Sequence, residues 1–121
     1  MVTTTYLKDP SSPQYANDAT VKLYQRLMAK YAPSLDPKNG LYFYGMAKAY
    51  TFVQALYRAG KNPTRQSLMN AAVTLKLKSP WLIPGSTINT TAASPFPISV
   101  VRLTRYNNGS FSEFGPLIKT R

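Results

Sequence analysis

The chain has 121 residues, enough for one modest domain, and its 44% apolar and 16% charged residues are those of a folded protein, not a disordered one. It contains no cysteine and no histidine, which excludes a disulfide framework, a thiolate metal site and the commonest general base. Fifteen Lys and Arg against four acids leave a net charge of +11, which points to a polyanion or an anionic surface as one class of partner.

Residues 2–7 have the β-branched and aromatic character of a strand. The run from Lys8 to Pro13 breaks it. Asn17 or Asp18 is suited to cap a first helix, in which Val21, Tyr24, Leu27, Met28 and Tyr31 recur at helical spacing. Lys22, Gln25, Arg26 and Lys30 take its other face, and Ala32-Pro33 ends it. Lys22, Arg26 and Lys30 form a basic row at i, i+4, i+8. Such a row is also the solvated face of any amphipathic helix, and the other basic residues are scattered singly.

The loop Asp36 to Gly40 leads into the most apolar segment, 41–59. Lys48, Thr51, Gln54 and Arg58 make a narrow polar stripe there, which predicts a helix about 28 Å long that is buried on most sides. Gly60 is a natural terminator. Thr64 is suited to cap a third helix with Leu68, Ala71, Ala72 and Leu75 on its apolar side. Proline punctuates 76–97, with a short strand expected near Thr87–Asn89. A strand over 98–106, a turn at Asn107-Asn108-Gly109 and a short return through Phe111 and Phe114 predict a terminal hairpin.

Chemistry-bearing patterns are sparse. Asp9, Asp18, Asp36 and Glu113 are isolated from one another in sequence, so paired-carboxylate catalysis and a hard-metal cage lack their residues. No phosphate-binding glycine motif is present, and no base stands ready to activate a Ser or Thr. The expectation is a protein with no catalytic residues, no metal and no cofactor. The segment Leu41 to Tyr50 stands out because four aromatics fall within it. Core filling explains it on composition alone. The functional alternative is that its first turn faces a cleft, where tyrosines offer an apolar wall with a polar tip.

Tyr6-Leu-Lys-Asp-Pro10, Asp36-Pro-Lys-Asn-Gly-Leu41, Tyr44-Gly45, Gln54-Ala-Leu-Tyr-Arg-Ala-Gly60, Leu82-Ile-Pro-Gly-Ser-Thr-Ile-Asn-Thr90, Phe96-Pro-Ile98 and Phe114-Gly-Pro116 occur in an order and spacing that carry a resemblance. Over nearly its whole length the chain resembles the C-terminal part of the branched-chain amino acid type of solute-binding proteins of ABC transporters. The resemblance implies a partial type I periplasmic-binding-protein fold of α/β class. Three helices over 17–75 would be flanked by an N-terminal strand over 1–8, near a crossover between two lobes, and a β-hairpin over 98–114. Residues 1–121 would then be a single C-terminal fragment of a two-lobed parent.

The same resemblance implies a periplasmic or extracellular location and capture of a small solute, such as an amino acid or organic acid, for a membrane permease. Residues 1–15 contain no apolar signal segment. Relatives often read Tyr-Gly-Tyr where this chain has Tyr44-Gly45-Met46, so Tyr42, Tyr44 and Met46 are the candidate ligand-binding residues and amino-acid specificity is in question. Helix 41–59, cut off from upstream covering sequence, also predicts a homo-oligomer. A basic module that binds nucleic acid or another polyanion is the alternative, with nucleic acid the less favoured partner.

Overall fold

The computed structural model describes residues 1–120. It has three helices, α1 (Ala19–Tyr31), α2 (Gly40–Ala59) and α3 (Arg65–Val73). Five strands accompany them: β1 (Val2–Thr5), β2 (Lys76–Leu77), β3 (Ile88–Asn89), β4 (Val100–Asn107) and β5 (Ser110–Lys119). The class is mixed α/β, as expected. The strands form a three-stranded antiparallel sheet in the order β1-β4-β5 and a separate two-stranded pair, β2-β3.

Local chemistry sets most of the boundaries. The Asp18 carboxylate accepts the N–H groups of Thr20 and Val21 at 2.9 and 3.1 Å and so caps α1. Asn39 caps α2 through the Leu41 N–H, and Gly60 follows its last residue. Thr64 and Ser67 form a reciprocal capping box at the start of α3. Between β4 and β5 the chain reverses at Asn108 and Gly109, both at positive φ (47° and 85°), which is the twist a two-residue hairpin needs.

The return strand runs much further than expected, to Lys119. It does so by absorbing an irregularity in register between Val101 and Leu103. Gly115, at φ 71°, takes a conformation there that a side chain would disfavour. Strand β1 is shorter than the sequence pattern. Beyond Thr5 the chain leaves the sheet and pairs with the loop at 81–83, through Ile83 N–H to Tyr6 O (3.1 Å) and Lys8 N–H to Trp81 O (3.2 Å).

Apolar burial is divided between two clusters. The first joins Val21, Tyr24 and Met28 of α1 to Phe43 and Ala47 of α2, with Tyr15 and Trp81. Phe43 sits edge-on to Tyr24, with ring centroids 5.1 Å apart, and 5.0 Å from Trp81. The second, smaller cluster is Leu75, Leu82 and Ile88. The buried Thr90 hydroxyl ties it together, accepting the Leu75 N–H at 2.8 Å and donating to Ala72 O at 2.7 Å.

One expectation is corrected. Helix α2 is not enclosed: only Phe43, Ala47 and Ala55 are buried, while Leu41, Phe52, Val53 and Tyr57 are exposed. Its polar stripe is only partly wet, with Lys48 and Arg58 exposed and Thr51 and Gln54 half-buried. Arg58 turns toward α3 and donates to Thr74 O and Lys76 O at 3.0 and 2.9 Å. The stripe therefore runs from the groove, at Lys48 and Thr51, to the chain just beyond α3, at Arg58. The broad apolar face is the one left without a cover.

Candidate functional site

Of the hollows along α2, two lie against its first turn and its middle. The smaller, about 250 Å³, lies between the sheet and the starts of α1 and α2, with Lys8, Tyr15, Gly40, Phe43, Thr104 and Glu113 among its walls. Its charged groups are already engaged, Asp9 by the N–H and hydroxyl of Ser11 and the others in ion pairs. Lys8 is 2.7 Å from Asp18. Glu113 accepts from the Tyr15 hydroxyl and pairs with Arg102 at 3.4 Å. Internal pairing of this kind holds elements together and leaves little for a ligand.

The larger hollow is a groove of about 440 Å³ along the middle of α2, closed by α3, the Tyr6-Leu7 segment and the loop from Ser79 to Ile98. Phe52, Ala55, Leu75, Leu82 and Ile88 line its body, and the polar groups are few. That balance of apolar walls and sparse polar anchors is the usual make-up of a small-molecule site, and the volume lies within the usual range.

Its polar side is built from Tyr6, Tyr44 and Lys48. The Lys48 ammonium stands 4.5 Å from the centre of the Tyr44 ring. Burial pushes the Tyr6 hydroxyl above the ordinary phenol range, and the neighbouring Tyr44 hydroxyl, hydrogen-bonded to it, pushes it the same way, so Tyr6 keeps its proton at neutral pH. Lys48 is in neither of the two ion pairs formed among the described residues.

The three residues singled out from sequence do not converge. Tyr44 lines the groove. Tyr42 and Met46 are half-buried and pack against the first apolar cluster, beside Tyr24 and Phe43. Helix geometry is the cause: four residues advance the helix by little more than one turn, so 42 and 46 share a face, while two residues place 44 about 200° away. The first turn of α2 opens onto the smaller hollow, through Gly40 and Phe43, and not onto the groove.

Lys48, Thr51 and Phe52 were missed as lining residues. Their spacing of four, seven and eight from Tyr44 is the signal that finds them, because it marks one helical face. Tyr6 had no such signal, since only the folded chain carries it there. Among the described residues, no group of three or more His, Cys, Asp or Glu could hold a metal ion. Among them, too, no helix is long and apolar enough to cross a membrane.

Fold and site together define a mixed α/β chain with a ligand-sized apolar groove. Compared with known proteins, it matches no family model, no curated protein and no solved structure.

Proposed function

We propose that the chain is part of an extracytoplasmic solute-binding protein, which captures a small molecule without chemistry and passes it to a membrane permease. The groove beside α2 carries this reading: its walls are largely apolar, and three of its few polar groups, Tyr6, Tyr44 and Lys48, meet on one side. The order of the sequence segments from Tyr6 to Pro116 supports the same reading. So does the position of the four acids. Each is engaged in a cap, a turn or an ion pair, so none stands ready as a base.

One observation favours a second reading. Lys22, Arg26 and Lys30 are all exposed in a row along α1, and neither described ion pair includes them. Such a row suits a polyanion. Thermal unfolding separates the two. A captured solute raises the melting temperature in a dose-dependent way that survives about 0.5 M salt, where the Debye length is only about 4 Å. Heparin or nucleic acid would act only at low salt, because counterion release drives its binding. Stabilisation by heparin alone, across a broad panel of amino and organic acids, would replace the first reading with the second.

A further inference from the structure

We propose that the groove beside α2 takes an apolar monocarboxylate that carries no ammonium group; this rests on reading the groove as a solute site.

The charge of the lining sets the class. Lys48 is the cation among the lining residues, and it is held over the Tyr44 ring on the side where the Tyr6 and Tyr44 phenols meet. The ammonium and the phenol O–H that the Tyr6–Tyr44 contact leaves over are donors, and a carboxylate is an acceptor at both oxygens. A charged donor on a carboxylate also makes the stronger kind of hydrogen bond. The body of the groove, with Phe52, Ala55, Leu82 and Ile88, suits an aliphatic tail.

No acid lines the groove. The chain has four in all, and each is committed elsewhere. Asp9 accepts from Ser11, Asp18 pairs with Lys8, Asp36 accepts the Lys38 N–H, and Glu113 holds Tyr15 and Arg102. An α-amino acid entering carboxylate-first would carry its ammonium into a wall with no counter-charge, beside a lysine of the same sign. Tyr44 and Lys48 are exposed, so the cost is that of partial desolvation together with like-charge repulsion from Lys48, and it still disfavours the ammonium. The groove therefore selects against the zwitterion that the family resemblance suggests.

Three compounds with the same isobutyl body test this. 4-Methylpentanoate is leucine without its amino group, and 3-methylbutylamine is leucine without its carboxylate. Each is titrated calorimetrically into the full chain at neutral pH. The expected order is the carboxylate first, leucine at least about tenfold weaker, and no heat from the amine. Lys48→Met should weaken the carboxylate by roughly tenfold, and Lys48→Arg should restore most of the loss. Melting curves confirm that both variants fold. Leucine binding as tightly as the carboxylate, or more so, overturns the inference and leaves solute capture standing. Carboxylate binding that is indifferent to Lys48→Met also overturns it. Silence from all three compounds overturns it as well, and the reading of the groove as a solute site falls too only if the wider panel of solutes leaves the melting temperature unmoved.

Discussion

The Tyr15 hydroxyl, in the short turn before α1, donates to the Glu113 carboxylate in the middle of β5, across 98 residues of chain. The Glu113 side chain is 5% exposed, and Arg102 of β4 stands 3.4 Å away on its other side. This contact clamps the antiparallel sheet onto the helical layer.

Breaking the clamp should therefore loosen the sheet. Tyr15→Phe should cost about 1–3 kcal/mol, the range for a hydrogen bond to a charged group. Glu113→Ala should cost about 2–3 kcal/mol; Arg102 is 26% exposed, which lowers the penalty below that of a fully buried pair. Chemical denaturation of the two variants and their double mutant is the measurement. The losses should be less than additive, and strict additivity would mean that the two side chains do not act together.

Tyr24 makes the opposite case. It is fully buried, and its hydroxyl has no hydrogen-bond partner among the described residues. Its ring packs edge-on against Phe43. Tyr24→Phe keeps that ring and removes the orphaned oxygen, so it should be neutral or stabilise by up to about 1 kcal/mol. A loss of more than that in the same denaturation assay would show that the hydroxyl is satisfied.

Stability should fall at both ends of the pH scale. Burial pushes the Asp18 carboxyl up, but the Lys8 ammonium and the N–H groups of Val21 and Thr20 together outweigh it and hold the group below its ordinary value. A depressed carboxyl contributes stability above its unfolded value of about 4 and loses it as pH falls through the lower folded value. For Tyr15, burial and then the Glu113 carboxylate raise the phenol well above its ordinary value. Its contribution is present below about pH 10 and is lost as pH rises through the folded value. Melting temperatures across this range should decline at each end. Asp18→Asn should flatten the acid side and Tyr15→Phe the alkaline side, and slopes unchanged in those variants would assign the titrations to other groups.

The uncovered face of α2 should drive self-association. Val53 and Tyr57 are exposed there, Tyr57 at 77%, beside a shallow depression of about 480 Å³ whose walls include Leu56 and Pro63. Contiguous apolar surface of this kind usually marks an interface. The net charge of +11 opposes association, but salt screens it beyond about 8–10 Å. A dimer or larger species at micromolar concentration is expected from light scattering over a hundredfold dilution, with Val53→Lys/Tyr57→Lys shifting it to monomer. Monomeric behaviour of the unaltered chain throughout would show that solvent tolerates this face.

Little of the candidate site was readable in the sequence: of Tyr42, Tyr44 and Met46, Tyr44 alone lines the groove. The aromatic cluster at the start of α2 named Tyr44 correctly as a lining residue and grouped Tyr42 and Met46 with it. Helical phase separates them, and that phase was available from spacing alone. The walls contributed by Tyr6, Leu82 and Ile88 were not, because they arrive from segments far apart in the chain.

By itself the sequence determined the features that depend on a few neighbouring residues. The cap of α1 at Asn17 or Asp18 (Asp18 in the fold), the cap at Thr64, the end of α2 at Gly60, the reversal at Asn108-Gly109 and the apolar stripe of α1, whose Val21, Tyr24 and Met28 are buried while Tyr31 is exposed, are of this kind. Each follows from a local hydrogen bond, an allowed φ or a 3.6-residue period. Only the tertiary structure decided which face of α2 meets α3, how far β5 runs past Gly115, and that Tyr15 meets Glu113. Those outcomes depend on contacts between residues distant in sequence. No short-range pattern encodes which of two apolar helix faces will find a partner, because burial stabilises either face in proportion to area alone.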